Sequence, residues 1–118
     1  MIEAYVYMSC TSCRKTVSQL KEGDAEFTAR DYFKERFTRE ELQALLDRAG
    51  MKPSDVLSKR AKPYRELGLD TREVSEDELL DLMIEEPRLL KRPLVLGNGE
   101  VILGHDTQKL AELIAAAE

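Results

Sequence analysis

The chain lacks tryptophan, has a single histidine and has only two cysteines. Cys10, Cys13 and His105 together fall short of the four ligands that tetrahedral zinc takes, so no metal site is expected. Long apolar runs are missing as well. Ala4 to Met8 is too short for a membrane span or a signal-peptide core, and Glu3 stands where a signal peptide carries lysine. A cytoplasmic protein with no membrane contact is expected. Thiols stay reduced there, so the cysteines read as a transient or catalytic pair and not as a staple. There is no basic excess either. A formal charge of −5 argues against direct nucleic-acid binding led by phosphates, although a local basic patch stays open. What remains is a globular composition, 118 residues with 42% apolar and 35% charged, enough for one domain with one modest core.

The two cysteines stand together in Tyr5-Val6-Tyr7-Met8-Ser9-Cys10-Thr11-Ser12-Cys13-Arg14-Lys15, an apolar strand running into a Cys-x-x-Cys that opens a helix. A thiolate at a helix N-terminus meets unpaired N–H groups and the positive end of the macrodipole, which lowers its pKa from about 8.5. Cys10 is therefore the expected nucleophile. Arg14 and Lys15 add positive charge, and the nearest acidic residues in sequence are Glu3 and Glu22. Cys13, one turn on, can resolve a mixed disulfide or a sulfenic acid on Cys10. Two buried structural thiols are the bland alternative. The strand, tight loop and helix around the pair favour the redox reading.

Ile2 to Met8 reads as a central strand, its nearly continuous apolar run suiting burial on both faces. The next helix turns Cys13, Val17 and Leu20 inward and stops at Gly23. Ala25 to Phe33 reads as a second strand, which completes a βαβ unit. From Thr38 the period changes. Thr38 to Glu41 is a capping box before Leu42, Leu45, Leu46 and Ala49, and Gly50 ends that helix. Pro53 and Pro63 suit short helices ending at Leu57 and Leu67, the second closed by Gly68. Ser75 to Glu78 is a second capping box, opening a helix with Leu79, Leu80, Leu82 and Met83 that stops before Pro87, so some fifty consecutive residues read as helical. Strands return at Pro93 to Leu96 and Glu100 to Leu103, joined through Gly97-Asn98-Gly99 as an antiparallel hairpin. Gly104 breaks the strand, and Asp106 or Thr107 caps a last helix carrying Leu110, Leu113 and Ile114. Tyr5, Tyr7, Phe27 and the leucine stripes read as core.

This order predicts an α/β, thioredoxin-like mixed four-stranded sheet flanked by helices, with an all-helical insertion between the second and third strands. The core is expected at about 1–37 and 88–118 and the insertion at about 38–87, within a single domain. In that fold the proline opening the third strand sits against the Cys-x-x-Cys, so the Arg92–Pro93 bond is expected to be cis.

Three motifs in order carry a resemblance: Cys10-Thr11-Ser12-Cys13-Arg14-Lys15; Ser58-Lys59-Arg60-Ala61-Lys62 with Tyr64-Arg65-Glu66-Leu67-Gly68; and Pro87-Arg88-Leu89-Leu90-Lys91-Arg92-Pro93-Leu94. Across nearly its whole length the chain resembles the arsenate reductase (ArsC) and Spx family. In the reductases a cysteine at the position of Cys10 attacks arsenic, and glutathione with glutaredoxin reduces the adduct. Arginines of the insertion and of the Arg-Pro motif hold the oxyanion and the thiolate. Arg92 matches the second of these, and a guanidinium suits a tetrahedral oxyanion because it stays charged and offers a planar fork of donors. The insertion arginine falls at Ser58, with Arg60 two residues on in the Spx-like pattern Ser-x-Arg-x-Lys. A third arginine is replaced by His105. Both cysteines are present, as in Spx-type members, whereas many such reductases have only the first.

Three functions compete. The first is a thiol-dependent reductase for arsenate or another small oxyanion, thiol or disulfide substrate. In it Cys10 and Cys13 are the thiol pair, Arg92, Arg60, Ser12 and Arg14 hold the oxyanion, Pro93 shapes the site, and His105 is an added candidate, more simply an exposed loop residue. It needs no bound cofactor, and glutathione with glutaredoxin, or thioredoxin, supplies electrons as an external redox partner. The second is an Spx-like regulator that docks on RNA polymerase, at the C-terminal domain of its α chain, with the Cys10–Cys13 disulfide as its switch. The third is a general disulfide oxidoreductase resembling glutaredoxin. A solvated basic face remains the plain alternative for Arg60.

Overall fold

The computed structural model describes residues 2–117, and its contacts divide the chain into two compact units. Met1–Glu35 with Arg92–Glu118 form a sheet unit, and Arg36–Lys91 form a helical unit. The sheet unit runs β1 (Ile2–Val6), α1 (Thr11–Glu22), β2 (Phe27–Asp31), β3 (Leu94–Gly97), β4 (Glu100–Leu103) and α5 (Thr107–Ala117). Its strands lie in the order β2-β1-β3-β4. β1 and β2 are parallel, with Ile2 opposite Phe27 and Val6 opposite Asp31, and β3 is antiparallel to β1 and β4.

Alternation decides what β1 buries. Ile2, Ala4 and Val6 point into a core shared with Cys13, Val17 and Leu20 of α1, Val95 and Ile102 of the hairpin, and Leu110, Leu113 and Ile114 of α5. Glu3, Tyr5 and Tyr7 take the other parity and are half-buried. The strand is thus central but not equally buried on both faces, and Tyr5, Tyr7 and Phe27 are half-buried where full core positions were expected. The hairpin turns at Asn98 and Gly99, both at positive φ (50° and 77°), the conformation a two-residue type I′ turn requires. The Arg92–Pro93 bond is cis. Asp106 caps α5, its Oδ1 accepting the Lys109 N–H at 3.0 Å.

Gly23 ends α1 for a reason other than the expected one. Its φ is −80°, in the right-handed region, and the left-handed residue is Asp24 at φ 58°. Glycine is needed for closeness instead, since a Cβ there would stand 2.7 Å from Ile114 Cγ2. The end of α1 and the face of α5 meet at that point.

The helical unit contains α2 (Arg39–Ala49), a 3-10 turn at Pro53–Val56, α3 (Lys62–Glu66), α4 (Glu76–Glu85) and a 3-10 turn at Pro87–Leu89. The Thr38 capping box is complete: Thr38 accepts from the Glu41 N–H, and Glu41 accepts from the Thr38 N–H. Gly50 closes α2 in the left-handed region at φ 68°. At Ser75 only half of the expected box forms. The serine accepts the Glu78 N–H, while the Glu78 carboxylate pairs with Arg72. The helices of this unit are short, as the prolines and glycines between them imply. Its short helices are joined by turns, and an antiparallel bridge pairs Leu57 with Leu90, with Ser58 N–H bonded to Leu89 C=O at 2.7 Å. Proline at each 3-10 start and the brief apolar stretches between explain why neither segment grows into a long helix.

Candidate functional site

The site starts where β1 ends. Cys10 is the N-cap of α1, in extended backbone with φ −87° and ψ 127°, and its N–H closes a tight loop onto Tyr7 C=O at 2.8 Å. Its sulfur therefore faces the unpaired N–H groups of the first turn. Cys10 is half-buried, whereas Cys13, inside the first turn, is fully buried, and its sulfur accepts the Tyr7 N–H at 3.4 Å. Both thiols are free.

Their acidities separate. Burial pushes the Cys10 thiol up, but the N–H and thiol of Cys13, the Arg92 guanidinium and the Ser12 N–H together outweigh it and hold the pKa below the usual thiol value. Burial raises Cys13 to about 12, only partly offset by the Tyr7 N–H, and a charge on Cys10 adds to the rise. Cys10 loses its proton first.

Arg92 stands immediately before the cis proline, Pro93. It is half-buried, and its Nε is buried with no hydrogen-bond partner among the described residues. Its Cζ lies 5.5 Å from the Tyr7 ring centre and 5.6 Å from that of Phe33. Tyr32 completes this surround. Burial pushes its phenol well above the ordinary tyrosine range, and the charge of Arg92 opposes that rise.

The other expected residues fall out differently. Ser12 contributes its backbone N–H toward Cys10. Arg14 turns back along the loop, donating to Met8 C=O at 3.2 Å and to Thr11 Oγ1 at 3.4 Å, so it braces the entry to α1. His105 is not an exposed loop residue. Its Nδ1 meets the buried Thr16 hydroxyl at 2.8 Å and its Nε2 the Thr107 hydroxyl at 3.1 Å, which ties the start of α5 to α1. A shallow groove of about 530 Å³ runs beside it, lined by Arg14, Lys15, Gln19 and Thr107 among others. Arg60 belongs to the helical unit, where it is exposed on the turn closed by Ala61 N–H to Ser58 C=O at 3.4 Å.

Sequence reasoning missed Tyr32, Phe33 and Asp31. An acidic residue distant in sequence binds the loop that leads to Cys10. Asp31 Oδ2 accepts the Met8 N–H at 3.2 Å, and its Oδ1 accepts from Phe33 and Lys34 at 3.0 and 3.3 Å. The strand register that puts Asp31 opposite Val6 explains this. Among the described residues no three His, Cys, Asp or Glu side chains are grouped to hold a metal, and no helix is long and apolar enough to cross a membrane.

A Cys-x-x-Cys capping the helix after a central strand, in a mixed four-stranded sheet whose third strand follows a cis proline, defines a thioredoxin-like fold. Residues 5–113 match the ArsC family, and the chain belongs to it. It is 38% identical over 109 residues to the regulatory protein MgsR of Bacillus subtilis, covering 92% of this chain and 86% of that one. It is 29% identical over 114 residues to the global transcriptional regulator Spx of Staphylococcus aureus, covering 97% and 87%. Among solved structures, the arsenate reductase of Vibrio cholerae superposes with a TM-score of 0.81 at 26% identity, over 95% of this chain and 96% of that one.

Proposed function

We propose that the chain is a thiol-disulfide redox protein with Cys10 as nucleophile and Cys13 as resolving thiol. The separation of the two acidities carries this reading, since burial holds Cys13 as a thiol while Cys10 gives up its proton first. Toward a disulfide, the Cys10 thiolate attacks one sulfur and releases the other as a thiolate. Cys13 then loses its proton, attacks Cys10 and releases the second thiolate, leaving the Cys10–Cys13 disulfide. Two thiols are oxidised and one disulfide is reduced. Toward arsenate, Cys10 bonds to arsenic as water leaves. A second thiol, Cys13 or an external one, then takes the Cys10 sulfur while arsenic(V) becomes arsenic(III).

As a reductase in the cytoplasm, the protein would use Arg92, with Arg60 as a further candidate, to hold the anion. Glutathione with glutaredoxin, or thioredoxin, would return the electrons. Arg92 beside the sulfur and the likeness to the Vibrio cholerae reductase support this use. A specific observation favours a second use: the relatives at 38% and 29% identity are named as regulators. In that use the Cys10–Cys13 disulfide is a switch, and the partner is RNA polymerase, met at the C-terminal domain of its α chain.

Arsenate-dependent NADPH consumption by the purified protein, coupled in turn to glutathione with glutaredoxin and to thioredoxin, separates the two. Turnover that disappears in Cys10→Ser establishes the reductase, and Cys13→Ser then says whether the second thiol is internal. Absence of turnover together with a reversible disulfide, and with polymerase affinity that differs between oxidised and reduced protein, establishes the regulator. A Cys10 that titrates like a free thiol overturns the redox reading itself.

A further inference from the structure

Two aromatic rings border the guanidinium that faces the reactive sulfur. Tyr7 and Phe33 stack with centroids 3.8 Å apart and planes 15° from parallel. The Tyr32 ring leans on Phe33 at 5.2 Å and 48°. Arg92 Cζ is nearly equidistant from Tyr7 and Phe33, at 5.5 and 5.6 Å, which puts it at the seam of the stack. From the seam the guanidinium meets the sides of the stacked rings, and close packing there limits the rotamers it can take.

The rings come from different stretches, and one side chain ties the backbones of those stretches together. Tyr7 follows β1 and Phe33 follows β2, while Asp31 binds the N–H groups of Met8 and Phe33 at 3.2 and 3.0 Å. The Arg92 guanidinium reaches the Cys10 sulfur and the Tyr32 hydroxyl, while its Nε is buried with no hydrogen-bond partner among the described residues. A long side chain anchored only at its tip still samples several rotamers unless packing restricts the rest. A carboxylate could hold it equally well. Its negative charge, however, would cancel the field that favours the Cys10 thiolate, whereas a ring stack holds the cation and leaves its charge in place.

We propose that the Tyr7–Phe33 stack is a shelf that fixes the Arg92 guanidinium beside Cys10, making Tyr7 and Phe33 positioning residues for the reactive sulfur. The proposal rests on the reading that Arg92 supports a Cys10 thiolate. The groups facing that sulfur are Cys13 on α1, Arg92 before β3 and Tyr32 after β2, and Asp31 at the end of β2 binds the loop that leads to it.

The test is iodoacetamide alkylation of Cys10 across pH in the reduced protein, with circular dichroism as a check on folding. Tyr7→Ala and Phe33→Ala are expected to move the titration upward and slow alkylation at neutral pH by roughly two- to tenfold. Tyr7→Phe keeps the ring and the wild-type titration. Should an alanine variant fail to fold, Tyr7→Leu and Phe33→Leu refill the apolar space without a flat ring, and a smaller shift in the same direction is expected. In an Arg92→Met background none of these changes adds to the effect of Arg92→Met alone. Wild-type titration in folded Ala or Leu variants, or an equal slowing with and without Arg92, overturns the shelf. If Arg92→Met itself leaves the titration unmoved, the Arg92–Cys10 pairing beneath it fails instead.

Discussion

Leu20 and Leu46 are both leucines on helices and both fully buried, yet they serve units built in different ways. In the sheet unit, strand, helix and hairpin residues from both ends of the chain converge on one core, and the reactive sulfur of Cys10 packs against its edge. In the helical unit, short elements are closed locally by the Thr38 box, by Ser75 and by the pair Arg88 with Glu86, and an exposed pair, Arg39 with Asp81, joins α2 to α4. Polar groups with strongly shifted acidity, Cys13 and Tyr32, sit in the sheet unit where distant segments meet. Chemistry arises where burial is shared across the chain, and local caps supply shape.

The contrast breaks most sharply at Leu20. Leu20→Ala opens a cavity among β1, α1 and α5 and should cost about 2–5 kcal/mol in urea denaturation. A loss well under 2 kcal/mol would mean that this core is not the continuous unit described.

Raising the pH attacks the same core without a mutation. Burial raises Cys13 from 9.0 to about 12, so the folded protein keeps a proton there that the unfolded chain has lost. A group raised in this way stabilises the fold fully below the unfolded value, and that contribution fades as pH rises through the folded one. Stability should therefore fall between pH 9.0 and about 12, and Cys13→Ala should flatten the fall. Tyr32 adds to the slope for the same reason, and Tyr32→Phe measures its share. Cys10, shifted down, has its stabilising effect above the ordinary thiol value and loses it as pH falls through its folded value, so it is not the source of the alkaline loss. Denaturation midpoints across pH, under reducing conditions, that are identical in wild type and Cys13→Ala would refute the assignment.

Gly23→Ala comes next. The added methyl meets Ile114 Cγ2 at 2.7 Å and Cδ1 at 3.0 Å, an overpacking expected to cost about 1–3 kcal/mol, and Ile114→Val, which removes Cδ1 but keeps Cγ2, should recover the smaller part of it. If the helix needed glycine only for its handedness, the Ile114 change would recover nothing.

These first effects concern encounters between distant segments, and that is where reading the sequence stopped. The Cys-x-x-Cys at a helix start, the Asn98-Gly99 turn and the Thr38 cap are signals within a few residues, and each appears where it was expected, while the cis Arg92–Pro93 bond was expected from the fold that the element order implied. Tyr32 lies within the expected second strand, Ala25 to Phe33, but on the parity opposite Phe27; the observed β2 stops at Asp31, and the chain beyond it turns Tyr32 inward. His105 reaches Thr16 across 89 positions, and Asp31 reaches Met8 across 23. Both contacts follow from strand order and not from any local motif. Gly23 looked like an ordinary helix stop because its reason, Ile114, is at the other end of the chain.

The local side of the contrast is sharpened by Thr38→Ala against Ser75→Ala. Thr38 holds both halves of a capping box and Ser75 only one. Losing the Thr38 hydroxyl should cost about 1 kcal/mol and losing the Ser75 hydroxyl less, as read from chemical denaturation of the two variants. Equal losses would mean that the reciprocal Glu41 bond adds nothing.

The smallest effect belongs to the exposed charges. Arg39 donates from Nε to Asp81 at 2.7 Å and from a second nitrogen to Asp77 at 3.5 Å, bridging α2 and α4, yet all three side chains are open to water. Water and salt screen such pairs, and ordering long side chains offsets most of the attraction. Arg39→Ala should therefore lower the melting temperature less than Thr38→Ala does, and its own loss relative to wild type should vanish in high salt. A loss that persists in high salt would mean that Arg39 acts through the packing of its aliphatic stem and not through its charge, because screening removes only the charge.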